Sequence, residues 1–290
     1  MVKHRSQASH RRIESPHSAV LKVFRRSLAS GVTREGWLAI EGPILFEEAL
    51  AAGGYTAHQG SGRAPRPLLR SVLATESQAQ RFSESLSRLF DEVEVNLVPD
   101  ALFERVTQTQ TPQGIAALVE LPRYDPDAAM DGRDALIVVG CGLQDPGNLG
   151  TIMRSAQALG GTAVASLKNT VSPFNPKTVR SSAGAVFRLP IFAGQDSQSL
   201  MARLRRLGVA ILATDRHSAV RVCDADLRRP LAVLIGQEAA GLDADLMRHA
   251  DERVAIPIRS GMDSMNAAAA ASVVLYEAAR QRGFLFNEPL

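Results

Sequence analysis

The chain has 290 residues, 45% hydrophobic and 22% charged, a composition typical of globular proteins and a length sufficient for two domains. No apolar run approaches the ~18 residues that a membrane-spanning helix needs, and the basic start lacks the apolar core of a secretory signal, so we expect a cytoplasmic protein with no membrane association. The net charge is +3, and only four of the 33 basic residues are lysine, an arginine bias compatible with nucleic-acid binding and equally with a GC-rich genome.

The first part of the chain predicts a small α/β domain over residues 13–122, preceded by a disordered basic arm over residues 1–12. Its first predicted helix carries Lys22, Arg25 and Arg26 on the side opposite its apolar residues. The predicted helices cover residues 18–28, 43–52, 76–90 and 99–105, and the predicted strands cover residues 37–40, 69–74, 93–98 and 114–121.

A segment rich in proline and aspartate, residues 123–134, predicts a linker to a second domain over residues 135–290. Strand and helix patterns alternate there, which predicts a parallel sheet with helices on both faces. The predicted strands cover residues 135–140, 162–167, 187–191, 209–213, 231–236 and 254–257, and the predicted helices cover residues 149–159, 176–184, 197–207, 243–249 and the stretch from about 264 to 280.

Open parallel sheets bind ligands at the carboxyl ends of their strands, and three unusual loops follow predicted strands of the second domain. The first contains Asn148 and places Arg154 about one turn into the helix that follows, where the arginine either meets an anionic substrate or lies on an exposed helix face. The second holds Glu238 between Gly236 and Gly241, which either let the backbone approach a ligand closely or only make a turn.

The third loop leads into an alanine-rich helix, and Ser264 is the predicted N-cap of that helix. Between the first two loops, a proline-broken helix start carries Asn175, Lys177 and Arg180. Cations and hydrogen-bonding groups beside a helix N-terminus predict a phosphate-contacting surface.

Several kinds of site are excluded by their missing motifs. Gly140 and Gly142 begin a dinucleotide fingerprint, but Asp145 stands where its third glycine belongs, and the phosphate-binding pattern of nucleoside-triphosphatases is absent. No cluster of metal-ligand residues and no serine-hydrolase elbow occurs. The two cysteines, Cys141 and Cys223, have no redox or metal spacing and predict reduced, partly buried thiols.

Three motifs in order resemble those of the SpoU (TrmH-like) RNA 2′-O-ribose methyltransferases. They are NLGTIMR from Asn148 to Arg154, LIGQEAAG at residues 234–241, and IPI at residues 256–258 with SMNAA from Ser264. The segment SPFNPKTVRSSAG at residues 172–184 is similar to a further block of the family. The first domain resembles the family's L30e-like substrate-binding domain, with WLAIEGPILFEEAL near its start and TQTPQGIAALVEL at its end.

The resemblance implies a parallel α/β domain with a deep trefoil knot, the cofactor S-adenosylmethionine, and a homodimer formed through the knot region and the C-terminal helix. It also implies a cofactor site in the second and third loops. The residues expected to bind the cofactor are Leu234, Ile235, Gly236, Gly241, Ile256, Ser264 and Met265. Methionine stands at 265 where leucine is common, a change of small consequence for volume.

The residues expected to be catalytic by the same resemblance are Arg154, Asn148, Glu238, Ser264 and Asn266. Because a guanidinium is always protonated, Arg154 is a poor base and suits a role in holding a phosphate or stabilising an alkoxide. The expected RNA contacts are Asn175, Lys177, Arg180, Arg25 and Arg26. Ribosomal RNA is the expected substrate, and the alternatives are transfer RNA, base methylation or a catalytically inactive RNA-binding member.

Overall fold

A computed structural model describes residues 11–53, 67–89, 93–237, 240–262 and 264–284. Glu238 therefore lies outside the described residues, as do residues 1–10 of the predicted arm. The chain divides into two compact units, Met1–Arg123 and Tyr124–Leu290. Across the described ranges, no helix is long and apolar enough to cross a membrane.

The first unit is built on a five-stranded mixed sheet. Its strands are β1 (Arg11–Arg12), β2 (Leu38–Glu41), β3 (Leu68–Thr75), β4 (Glu94–Val98) and β5 (Ile115–Glu120). Its helices are α1 (Ala19–Ser30), α2 (Pro43–Gly53), α3 (Glu76–Arg81), α4 (Ser83–Leu89) and α5 (Asp100–Glu104). The strand order is β1-β4-β3-β5-β2, with β5 antiparallel to both of its neighbours and the other pairs parallel.

The buried side chains of α1, α5 and the sheet form one hydrophobic cluster. Phe24 of α1, Phe103 of α5 and Leu73 of β3 all belong to it and are almost completely buried. Since Phe24 and Leu28 face this cluster, the basic side chains between them point to the outside of α1. The core therefore determines which face of α1 remains available to a partner.

Two predictions for this unit were wrong in detail. Arg11 and Arg12, assigned to the disordered arm, form a short strand beside β4, because buried Ile13 anchors the chain and its N–H donates to the carbonyl of Leu97 (2.8 Å). The single helix predicted over residues 76–90 is two helices that meet at Phe82. The ring of Phe82 packs edge-on against Phe46, with centroids 5.1 Å apart, and is thereby buried.

The second unit is built on a six-stranded sheet. Its strands are β6 (Leu136–Gly140), β7 (Ala163–Leu167), β8 (Ile191–Gln195), β9 (Ala210–Thr214), β10 (Leu231–Ile235) and β11 (Glu252–Val254). Its helices are α6 (Pro126–Met130), α7 (Pro146–Ala158), α8 (Pro176–Ser181), α9 (Ser197–Arg206), α10 (Ala244–His249) and α11 (Ala267–Gln281). The order is β11-β9-β10-β6-β7-β8 and all neighbours run parallel, so the predicted α/β fold with a parallel sheet is confirmed.

Three local predictions differ from this unit's structure. The predicted linker contains α6, whose Met130 is fully buried in the core of the second unit. The strand predicted over residues 187–191 is a 3-10 turn at Ala185–Phe187 followed by β8, which starts only after Pro190. Proline has no N–H to donate to a ladder, which explains the delayed start. The last strand is shorter and earlier than predicted, at Glu252–Val254.

Candidate functional site

A cavity of about 290 Å³ lies at the carboxyl ends of β9, β10 and β11, the edge at which parallel sheets bind ligands. Its volume is at the lower end of the usual range for ligand sites, which begins at about 300 Å³. Its lining consists of Thr214, Asp215, Arg216, His217, Ile235, Gly236, Gln237, Ala240, Gly241, Leu242, Met247, Val254, Ile256, Ile258, Ser264, Met265, Ala267 and Ala270.

Gly236 makes the loop after β10 possible. A Cβ at this position would lie 2.4 Å from the carbonyl carbon and oxygen of Gly241 and 2.7 Å from the nitrogen of Leu242. Next to it, Gln237 and Gly241 exchange backbone hydrogen bonds of 3.1 and 2.9 Å, which close the loop on itself. The wall of the cavity is therefore backbone, at a place where no larger residue than glycine fits without displacing the loop.

The third loop ends at Asn266, which is the N-cap of α11. Its side-chain oxygen accepts from the backbone N–H groups of Ala268 (2.9 Å) and Ala269 (3.2 Å). The predicted cap, Ser264, lies two residues earlier, where its exposed side chain lines the cavity instead of capping the helix. The cap prediction was therefore wrong by two residues, because either side chain has the chemistry of a cap and only the backbone path distinguishes them.

Asn266 also connects the third loop to the first. Its side-chain nitrogen donates to the side-chain oxygen of Asn148 in α7 (2.9 Å), so two residues predicted to be catalytic are in direct contact. Further along the same pair of helices, the hydroxyls of Ser155 and Ser272 are 2.8 Å apart. The start of α11, and with it the third loop, is thus held against α7.

Arg154 lies about two turns into α7, further than predicted, because the helix begins at Pro146 instead of residue 149. Asp145 caps it by accepting from the N–H of Gly147 (2.9 Å), and this bond lowers the pKa of the Asp145 carboxyl. The side chain of Arg154 is exposed and does not line the cavity. Within the described residues it makes no hydrogen bond or ion pair, so its guanidinium is available to a substrate anion.

Helix α8 packs unusually closely on α7. A Cβ at Gly150 would lie 2.0 Å from the Ser181 hydroxyl oxygen and 2.4 Å from the Thr178 carbonyl oxygen, so glycine is required at the contact. Two of the three residues predicted here to contact RNA interact with other groups of the protein. The side chain of Asn175 caps α8 by accepting from the N–H of Lys177 (2.9 Å). The ammonium of Lys177 lies 3.5 Å from a carboxylate oxygen of Asp145. Arg180 is exposed and, in the described part of the chain, has no such partner.

Two protein-family models match this chain. A model of the SpoU rRNA methylase family matches residues 135–276, and a model of the RNA 2′-O ribose methyltransferase substrate-binding domain matches residues 39–125. An uncharacterized tRNA/rRNA methyltransferase of Synechocystis is 32% identical over 93% of this chain and 94% of its own length. The chain belongs to the SpoU rRNA methylase family.

One relative and two solved structures have more specific descriptions. The 23S rRNA (uridine(2479)-2′-O)-methyltransferase of Streptomyces viridochromogenes is 34% identical over 71% of this chain and 74% of its own length. The crystal structure of the SpoU methyltransferase AviRb from that organism, in complex with AdoMet, superposes with a TM-score of 0.77 at 29% identity, covering 92% of this chain and 100% of that one. An AdoMet-bound rRNA methyltransferase of Sinorhizobium meliloti also has a TM-score of 0.77, at 27% identity, covering 95% of this chain and 98% of that one.

The lining of the cavity combines apolar side chains with exposed backbone, which suits a nucleoside-containing cofactor. Apolar side chains such as Ile235, Ile256 and Met265 provide walls for a flat base, and the backbone at Gly236 approaches without an intervening side chain. Of the predicted cofactor residues, six line the cavity: Ile235, Gly236, Gly241, Ile256, Ser264 and Met265. Leu234 does not, because its side chain is fully buried in the hydrophobic core.

The segment Thr214 to His217 also lines the cavity and was missed by sequence reasoning. Thr214 donates to the carbonyl of Leu234 (2.9 Å), which joins the ends of β9 and β10. Asp215 accepts from the N–H of His217 (2.9 Å) and turns the chain there. The sequence did contain a signal for this segment, since polar residues follow directly after the strand predicted over residues 209–213. Because β9 ends at the same edge of the sheet as β10, such residues are expected near the cavity.

No group of side chains in the described ranges suits a metal ion. Cys141 is buried and burial raises the pKa of its thiol, whereas Cys223 is exposed, contrary to the expectation that both are partly buried. Neither cysteine lines the cavity.

Proposed function

We propose that this protein transfers the methyl group of S-adenosylmethionine to a ribose 2′-hydroxyl in ribosomal RNA. The observation that carries the proposal is the cavity at the ends of β9–β11, which joins the second and third motifs, together with the Asn266–Asn148 bond that adds the first. Two relatives, the uridine enzyme of Streptomyces viridochromogenes and a guanosine enzyme of Bacillus subtilis, methylate 23S rRNA at ribose 2′-oxygens.

The cofactor would be held mainly by shape and by backbone. Ile235, Ile256 and Met265 would contact its apolar parts, and the loop closed by Gly236 and Gly241 would present backbone groups to it. Ser264, exposed at the cavity wall, would offer a hydroxyl. When bound, S-adenosylmethionine supplies a methyl group already activated by its sulfonium charge.

The protein's own contribution to the reaction would be positioning and charge. Arg154 is exposed on α7, and because guanidinium groups are cationic hydrogen-bond donors it would hold an RNA phosphate or stabilise the developing alkoxide of the ribose. Asn266 and Asn148 would act as positioning residues, since their bond holds the third loop against the helix that carries Arg154. Holding the reacting atoms in line is a large source of rate acceleration for a displacement of this kind.

Further RNA contact in the second unit would come from α8. Arg180 is the strongest candidate, since Asn175 and Lys177 already have partners within the unit. Lys177 would still be able to contact RNA, because its ion pair with Asp145 is exposed and therefore weak.

A homodimer through α11 is part of the proposal. One exposed stripe of this helix carries Val273 and Tyr276, and the ring of Tyr276 packs on exposed Phe284 with centroids 5.6 Å apart. Exposed apolar side chains in a row indicate an interaction surface. The deep knot and the cytoplasmic location belong to the same proposal, as properties expected of a family member that modifies ribosomal RNA.

The deciding experiment is methyl transfer from isotopically labelled S-adenosylmethionine to purified ribosomal and transfer RNA, followed by nucleoside digestion and mass spectrometry. We expect a 2′-O-methylated nucleoside from ribosomal RNA. Label in a methylated base, label only in transfer RNA, or cofactor binding without transfer to any RNA would each replace the proposal with one of its alternatives. Light scattering of wild type and Tyr276→Arg tests the dimer: we expect a dimer and a monomer, respectively.

A further inference from the structure

A group of cations on and beside α1 has no partners among the described residues. Lys22, Arg25 and Arg26 of α1 and Arg105 after α5 are exposed, and in the described part of the chain none of them makes an ion pair or a hydrogen bond. Other arginines of the first unit do have such partners: Arg12 pairs with Glu76, Arg70 with Glu120, and Arg81 with Glu47. Four cations without partners are therefore grouped on and beside α1.

These cations line two adjoining cavities that share Lys22 and Arg25. The larger, about 750 Å³, lies between α1 and the chain around Arg34 and also includes Gln108; the smaller, about 330 Å³, lies between α1 and the residues that follow α5. We call the two together the α1 groove. Glu35 is the acidic side chain on its lining, and hydrogen bonds from its own backbone N–H and from the Thr33 hydroxyl lower the pKa of its carboxyl.

The arrangement carries a cost for the isolated protein. Lys22 and Arg26 are four residues apart on one helix, and like charges at that spacing destabilise a helix. No carboxylate of α1 offsets this, since the helix has no acidic residue. Cations kept together without an internal counterion indicate that the counterion comes from a partner.

We propose that the α1 groove binds the phosphate backbone of the RNA substrate, a contact that rests on the proposed function. Arginine guanidinium groups match phosphate geometry, and four of the five lysine and arginine side chains that line the groove are arginine. Most of the groove lies on and just after α1, before the matched substrate-binding region starts at residue 39, whereas Arg105 and Gln108 lie within that region. Backbone contacts position the RNA, and the groove therefore supplies affinity without reading sequence.

The test uses the full-length protein and fluorescence anisotropy with a labelled ribosomal RNA fragment over a range of KCl concentrations. The triple variant Lys22→Ala, Arg25→Ala, Arg26→Ala is compared with a control that removes the same charge from the same unit, Arg12→Ala, Arg70→Ala, Arg81→Ala, whose arginines are paired with carboxylates. Each lost phosphate contact lowers the slope of log affinity against log salt by about 0.7, so we expect the groove variant to be shallower by about 2 and the control to be almost unchanged.

Equal slopes for wild type and the groove variant, or equal losses in the groove variant and its control, would overturn the inference. So would displacement of the RNA by polyglutamate at the same charge concentration, which would assign the groove to an acidic protein partner. Methyl transfer is not the readout, so an RNA-binding protein with a different reaction still gives the expected slopes. Conversely, if the wild type methylates RNA but the salt slope is the same for the wild type and the groove variant, only the proposal for the groove is overturned, and the proposed function stands. Thermal melting of all variants confirms that they are folded.

Discussion

The two units present partner surfaces of opposite physical kinds. In the second unit, one wall of the cavity is backbone packed so closely that Gly236 has no room for a methyl group, and the loops are joined by single hydrogen bonds such as Asn266 to Asn148. In the first unit, the α1 groove is made of long, exposed cations that touch none of the described residues through an ion pair or a hydrogen bond. The first surface depends on geometry and the second on summed charge.

That difference determines how each surface responds to amino-acid substitution and to salt. A close-packed loop has few arrangements, so one added carbon displaces several groups at once and its effects are large and not additive. Charges that act through solvent on a flexible polyanion contribute separately, and salt weakens each of them. Four sets of substitutions test this contrast, from the largest expected effect to the smallest.

Arg154→Ala is expected to lower the single-turnover rate of methyl transfer by about 10²–10³-fold, as for the loss of one preorganised charge-stabilising group. Cofactor affinity, measured by calorimetry, should be unchanged because Arg154 does not line the cavity. Arg154→Lys, which keeps the charge without the planar fork, should recover part of the rate. Near-wild-type turnover of Arg154→Ala would remove Arg154 from the mechanism.

Gly236→Ala is expected to weaken cofactor binding by about 10²-fold, since its Cβ must displace the backbone of Gly241 and Leu242, and misplacement by about 1 Å has effects of that size. The control is Gly208→Ala, a glycine with φ of 71° and open space around it. It should cost about 1–2 kcal/mol of stability and leave calorimetric cofactor binding intact. Equal cofactor losses in the two variants would contradict the steric account of the loop.

Two substitutions of Asn266 distinguish its role as the cap of α11 from its role in positioning the third loop. Asn266→Ala removes the cap of α11 and the bond to Asn148, and should destabilise the fold by about 1 kcal/mol in chemical denaturation. Asn266→Ser keeps a capping hydroxyl but is too short to reach Asn148, so it should regain stability and still have reduced kcat. Full activity of Asn266→Ser would mean that the bond between the loops has no role in positioning.

The smallest effects are expected in the α1 groove, from Arg25→Ala and Arg26→Ala. Each alone should reduce the salt slope of RNA binding by about 0.7 and weaken binding modestly, and their free energies should add in the double variant because each contacts its own phosphate. A strong coupling between them in anisotropy titrations would show that the groove depends on geometry, as the cavity does, and the contrast between the units would disappear.

Sequence patterns were sufficient for the elements whose burial follows from local chemistry. The strands that are apolar throughout, such as β6 and β10, were found nearly to the residue, because a run of apolar residues bounded by glycine has few other structures. The order of the three motifs, with Gly236 and Met265 among their residues, also led to the cavity, six of whose lining residues were named in advance. Arg25 and Arg26 were placed correctly on the polar side of their helix.

Only the tertiary structure decided which polar groups meet. Ser264 and Asn266 have the same capping chemistry, and the path of the backbone into α11 selects Asn266 and brings it to Asn148, 118 residues away. The segment from Thr214 to His217 enters the cavity because β9 pairs with β10, a pairing that no local pattern encodes. The sequence by itself determined the parallel α/β class and the motif residues, since burial periodicity is local. The contacts between loops required the fold, because they depend on which strands are neighbours.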